Sequence, residues 1–116
     1  MLVDTSVWID HLRKGDTRLG EFLDSGYVIT HPFVIGELAC GNLRQRQLIL
    51  NDLEALPSAP VATHSEVMRF VDAHKLHGTG LGWIDVHLLA SAALACCPLW
   101  SLDRRLADAA KRVNLK

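Results

Sequence analysis

Four carboxylates in this 116-residue chain stand where an acid is costly to build unless it has a task. Asp4 ends the apolar run Met1-Leu2-Val3 and is followed by two hydroxyls, Thr5 and Ser6. Asp103 repeats the arrangement near the other end, where Leu99-Trp100 runs into Ser101-Leu102-Asp103. Glu37 lies inside Phe33-Val34-Ile35-Gly36-Glu37-Leu38-Ala39-Cys40, and Asp85 inside Trp83-Ile84-Asp85-Val86-His87-Leu88-Leu89-Ala90. Acids are rarely buried without a partner, and an unpaired buried carboxylate protonates rather than bear the desolvation. Each has a structural use: Asp4 and Asp103 can cap helices, Asp85 suits a helix's first turn, and Glu37 can pair with Arg44 or Arg46. One explanation covers all four. A hard divalent cation, Mg²⁺ or Mn²⁺, takes carboxylate oxygens and keeps several of its waters.

Other groups offer less chemistry. Cys40, Cys96 and Cys97 make an odd count with two adjacent, so they give no disulfide framework. They read as small buried hydrophobes in a reducing compartment, and zinc does not suit the acidic set. Six histidines complete no zinc set at sensible spacing; His74 and His77 are expected at a surface or helix end. Trp8 and Trp83 can stack on bases, but beside apolar residues at helical spacing both are expected in the core. The loop Gly78-Thr79-Gly80-Leu81-Gly82 lacks the lysine of a phosphate loop and joins two helices.

The elements that must position these residues alternate short apolar strands with amphipathic helices. Met1 to Asp4 reads as a strand, followed by a helix from Ser6 to Lys14. A second helix opens at Asp16 and runs through Asp24 with Leu19, Phe22 and Leu23 inward. Tyr27 to Thr30 is the next strand, and Pro32 sits in the first turn of a helix that ends near Gly41-Asn42. Another helix covers Arg44 to Ala55, Pro57 and Pro60 bracket a loop into a strand near Val61, and Thr63-x-x-Glu66 reads as a capping box opening a helix to His77. A helix from Trp83 to Ala95, a strand from Pro98 to Ser101 and a helix from Asp103 to Val113 complete the chain. This alternation argues for a short parallel sheet with helices on both faces. In such folds the functional crevice lies beyond the carboxyl ends of the strands, where Asp4 and Asp103 sit.

Size and composition bound the class. The length suits one domain spanning 1–116, and 49% hydrophobic with 22% charged residues is an ordinary globular profile. The first 60 residues hold eight acids against five bases, and the rest five against seven. That is no basic footprint for a polyanion, so local patches or bound cations must attract one. No secretory signal or membrane span is legible, which predicts a cytoplasmic protein without a membrane partner. A phosphoacceptor domain, also α/β with clustered acids, would place an acid at its mid-chain strand; the segment near Val61 ends in Ala62-Thr63.

The acidic stretches also resemble a known family. Asp4-Thr5-Ser6 after a short strand looks like the first motif of the PIN domain. Glu37-Leu38-x-x-Gly41 looks like the second, Asp85-Val86-His87-Leu88-Leu89-Ala90 the third and Ser101-Leu102-Asp103 the fourth. Their order and spacing over the whole chain resemble the VapC toxins of bacterial type II toxin–antitoxin modules. The resemblance implies an α/β, PIN-like fold and a Mg²⁺-dependent ribonuclease, dimeric, neutralised by a VapB-type antitoxin that inserts a basic side chain into the acidic pocket. It implies that Asp4 and Asp85 are the main metal ligands, with Asp103 and Glu37 completing the cluster directly or through water. Thr5, Ser6 and Ser101 are expected to orient carboxylates or metal-bound water. Arg44, Arg46, Arg104 and Arg105 are expected to hold RNA phosphates. The chain departs from the pattern at Arg105, where many relatives carry another acid. The alternative is a PIN-shaped RNA- or protein-binding module without catalysis.

Overall fold

Two very short strands set the frame. In the computed structural model, which describes residues 1–113 and 115, β1 (Leu2–Val3) and β2 (Leu99–Trp100) pair in parallel, Leu2 opposite Leu99 and Val3 opposite Trp100. Leu2 and Val3 are fully buried, as expected of parallel strands covered on both faces. Seven helices follow among the described residues: α1 (Thr5–Lys14), α2 (Thr17–Asp24), α3 (Pro32–Ala39), α4 (Arg46–Glu54), α5 (His64–His74), α6 (Trp83–Leu94) and α7 (Arg104–Arg112). The result is the expected α/β architecture.

The strands expected at Tyr27–Thr30 and near Val61 are not formed. Ile29 pairs with Leu2 and Thr30 with Ser58, each as a single parallel contact. Ile29 N–H donates to the Met1 carbonyl, Thr30 N–H to that of Pro57, and Ala59 N–H back to Thr30. Pro57 and Pro60 have no N–H to extend the ladder, and Val61 is exposed. The sheet is thus continued by isolated contacts.

Helix starts follow their polar residues closely. Asp16 Oδ1 takes the N–H groups of Arg18 and Leu19 at 2.9 and 3.2 Å, and Thr63 with Glu66 makes the expected reciprocal box. Helix ends were less legible. α5 stops at His74, not His77, because Lys75 turns into the left-handed region at φ 53°. Leu76 N–H then bonds back to the Val71 carbonyl, in the manner of a Schellman end. Arg112 of α7 donates to the carbonyls of His74 and Lys75 there. α4 starts two residues later than expected because Gln45 is also left-handed, at φ 50°.

The core is built around α6, which is buried without interruption from Val86 to Ala92. A helix apolar on all sides is a central one; α5 packs on it, and α6 and α7 both lie against β2. α1, α3 and α4 form a second layer in that contact order. The cysteines correct the sequence reading: Cys40 and Cys96 are exposed and Cys97 half-buried. Two of them end helices or follow them, where the backbone turns outward.

Candidate active site

The carboxyl ends of β1 and β2 deliver Asp4 and Ser101 side by side. Asp4 is the one deeply buried acid of the four, 7% exposed. Its Oδ2 accepts from Ser6 Oγ at 2.7 Å and Ser101 Oγ at 2.8 Å, with a longer bond from Ser6 N–H at 3.4 Å. Each serine has a single proton, so both are committed to Asp4. The 3.3 Å approach of Ser6 Oγ to Ser101 Oγ is then a contact between two acceptors' lone-pair faces, not a further bond. Both serine oxygens accept a backbone N–H in turn, Leu102 on Ser6 at 2.9 Å and Asp103 on Ser101 at 3.0 Å. This closed network joins residues almost a hundred positions apart and sews the start of α1 to the approach to α7.

The other acids are held singly. Asp103 caps α7 through Oδ1, which takes Arg105 N–H at 2.9 Å and Leu106 N–H at 3.4 Å. Asp85, half-buried in the first turn of α6, accepts Gly82 N–H on Oδ2 at 3.0 Å. Glu37 accepts Thr5 Oγ1–H on Oε1 at 2.7 Å, a bond from the start of α1 to the outer face of α3. Glu37 and Asp103 are exposed, which corrects the expectation that all four sit in apolar surroundings. On α3 the buried positions are Val34, Ile35 and Leu38, so Glu37 falls on the opposite side of the turn.

A common pattern emerges from these bonds. Every one of the four carboxylates has one oxygen fixed by a protein donor, and among the described residues none donates to Asp4 Oδ1, Glu37 Oε2, Asp85 Oδ1 or Asp103 Oδ2. The capping and ligating readings of these acids are therefore compatible, since each uses a different oxygen. Hydrogen bonds bring Asp4, Thr5, Ser6, Glu37, Ser101 and Asp103 into one connected region. Among the described residues no hydrogen bond links Asp85 to that region, but the loop before α6 approaches it: a methyl group on Gly80 would meet Arg105 Nη1 at 3.2 Å and Cδ at 3.3 Å, so this loop lies against the second arginine after Asp103. At φ 84°, Gly80 also holds a backbone conformation that L side chains rarely adopt.

Among the described residues no three His, Cys, Asp or Glu side chains stand together as a finished ligand set. The donor chemistry nonetheless fits a hard cation: the free atoms are carboxylate oxygens, and no cysteine or histidine interrupts them. Mg²⁺ keeps several waters and takes only one or two carboxylates directly, so it does not require a full set of protein ligands.

The arginines differ in freedom. Arg46 donates Nη2–H to the Ala39 carbonyl at the end of α3, at 2.9 Å. Arg44 lines a groove of about 640 Å³ between α1, α3 and α4, whose walls include Ile9, Leu12, Leu38 and Ile49 and whose rim includes Glu37. Arg104 and Arg105 are exposed at the start of α7.

Sequence reasoning missed His31 and Ser91. His31 is fully buried and caps α3: its Nδ1 accepts Phe33 N–H at 3.0 Å, which leaves the proton on Nε2 to donate to Ser91 Oγ of α6, also at 3.0 Å. It thus ties the helix carrying Glu37 to the helix carrying Asp85. Burial, with the neighbouring charge of His87 as a second cause, lowers its pKa to about 4. A histidine directly before Pro32 was the available signal. The tryptophans also separate: Trp8 is buried as expected, at 4% exposed, whereas Trp83 is 44% exposed, which corrects the core assignment for it.

The PIN domain profile matches residues 1–112. The chain is 50% identical over 107 residues to ribonuclease VapC32 of Mycobacterium tuberculosis, in strain CDC 1551 / Oshkosh and equally in strain H37Rv, covering 91% of this chain and 86% of each relative. No solved structure matches the chain. A profile spanning nearly the whole length, a half-identical relative and acids set at the carboxyl ends of a short parallel sheet place this chain in the PIN domain family, among its VapC proteins.

Proposed function

We propose that the chain is a metal-dependent endoribonuclease, the toxin of a type II toxin–antitoxin pair. One observation carries the reading: among the described residues, four carboxylates each keep an oxygen clear of protein donors while the other oxygen anchors the side chain. The kinship with VapC ribonucleases supports it. Asp4 Oδ1 and Asp85 Oδ1 would hold Mg²⁺ or Mn²⁺, with Glu37 and Asp103 acting directly or through water. Bound there, the ion would supply Lewis-acid polarisation of a phosphodiester and lower the pKa of an attacking water. The chain's own residues do the positioning. Ser6 and Ser101 aim Asp4 by holding its Oδ2, Thr5 aims Glu37, and the Gly82 N–H aims Asp85. Arg44, Arg104 and Arg105 hold RNA phosphates without reading sequence; Arg46 has one donor already spent on Ala39.

The partners follow the same reading: RNA as substrate, a VapB-type antitoxin and a second copy in a homodimer, in the cytoplasm. The groove between α1, α3 and α4 suits the antitoxin, since an apolar segment laid along it would bring a basic side chain to Glu37. No described helix is long and apolar enough to cross a membrane.

The test is cleavage of RNA by purified protein with Mg²⁺, with EDTA, and with Asp4→Asn or Asp85→Asn. Cleavage is expected only for the wild type with the ion, and both variants should lose at least ~100-fold. Intact RNA in every lane, with RNA still bound, would leave a binding module without catalysis.

A further inference from the structure

Asp103 and Asp85 stand at the starts of two different helices, and among the described residues no hydrogen bond joins them. One side chain crosses between the two segments. Arg105 lies in the first turn of α7, where its N–H donates to Asp103 Oδ1 at 2.9 Å. Its side chain runs onto the loop before α6: Nη1, Cδ and Cζ lie 3.2, 3.3 and 3.4 Å from where a Cβ on Gly80 would stand. The end of the arginine therefore fills the space that a side chain at position 80 would occupy.

The loop beneath it is poorly restrained by its own residues. Gly78 and Gly80 both take left-handed conformations, at φ 71° and 84°, and glycine has the most backbone freedom to lose. Thr79 ties its hydroxyl back to the Leu76 carbonyl. The loop ends on Gly82, whose N–H is the one described donor to Asp85, so a shift of the loop moves that carboxylate. Neither ion pair among the described residues involves Arg105. An arginine without an acid partner contributes through its stem as well as its charge, and the charge alone would repel a cation at the carboxylates.

We infer that Arg105 is a positioning residue for Asp85: by lying on Gly80 it fixes the glycine loop, and the loop fixes the carboxylate through the Gly82 N–H. The inference rests on the reading of Asp85 as a metal ligand and deepens it. The two properties of the side chain then act in opposite directions. Its charge disfavours a divalent cation nearby, whereas its packing favours one by holding a ligand in place. Truncating the whole side chain weakens metal binding only if the packing outweighs the charge, so the sign of the change decides between them.

The experiment compares wild type, Arg105→Met and Arg105→Ala by two measurements. Amide hydrogen exchange in EDTA follows the Gly82 N–H, and calorimetry without EDTA follows Mn²⁺ binding. Methionine keeps an unbranched chain to cover Gly80 and drops the charge; alanine drops both. The Gly82 amide should be protected in wild type and Arg105→Met and lose its protection in Arg105→Ala, with the rest of α6 unchanged. Arg105→Ala should bind Mn²⁺ about 10 to 100-fold more weakly, and Arg105→Met at least as tightly as wild type. Gly80→Ala, which displaces the arginine without altering it, should also weaken binding, and adding Arg105→Ala to it should cost nothing further. Arg105→Ala binding Mn²⁺ as tightly as wild type or tighter overturns the inference. So do equal losses in Arg105→Met and Arg105→Ala, additive losses in the double variant, or a wild-type Gly82 amide without protection. A wild type that binds no Mn²⁺ and leaves RNA whole sinks the metal-dependent reading instead, and the Gly82 amide still decides whether the arginine holds the loop.

Discussion

A serine that gives its only proton to a carboxylate fixes which oxygen of that carboxylate stays free, and here two serines do so for Asp4. Ser101→Ala removes a donor to Asp4 and the acceptor for Asp103 N–H together. The expected outcome is a ~10 to 100-fold fall in metal affinity or RNA cleavage, read by Mg²⁺ titration of activity and by calorimetry. An unchanged Mg²⁺ dependence would remove Ser101 from the site. His31 acts by its protonation state. Its imidazole is neutral in the fold down to about pH 4, whereas the unfolded chain takes up a proton near pH 6.5. The unfolded state therefore binds more protons between these values, so the contribution is fully present above pH 6.5 and is lost as the pH falls toward 4. Its size is about 3 kcal/mol. Thermal melts from pH 7 to 4.5 should show the loss, and His31→Asn should flatten the profile.

At the scale of elements, α3 and α6 are tied by that same imidazole, so its partner Ser91 holds two acid-bearing helices in register. Ser91→Ala leaves the His31 Nε2–H buried without an acceptor, and about 1–3 kcal/mol of stability should go with it; the melting temperature should fall by several degrees. Helix starts were legible in the chain because Asp16, Thr63 and Asp103 are short polar side chains that satisfy nearby N–H groups, a local matter. The end of α5 at Lys75 and the start of α4 after Gln45 were not, because a lysine and a glutamine took left-handed positions that glycine or asparagine normally advertise. The missing strands at Tyr27 and Val61 have a non-local cause: apolar alternation cannot say how many partners a strand will find. The candidate acids could be named from the sequence, yet the burial of Glu37 and Asp103 was misjudged, since the apolar run around Glu37 concealed the one solvent face of its helix.

At the scale of the whole molecule, Asp4 and Ser101 meet only because two strands of two residues each bring distant segments together. The serine network supplements so short a sheet. Stripped of divalent ions, the protein should keep its helical circular dichroism and a cooperative melt. Added Mg²⁺ should then raise the midpoint in step with the logarithm of its concentration. A protein that unfolds in EDTA would show that the ion is a structural part. The folded prediction follows from the divided carboxylates, each already anchored at one oxygen. A cooperative melt without the ion would make folding and switching on separate events in the life of the molecule, with a newly made copy complete before any ion reaches it.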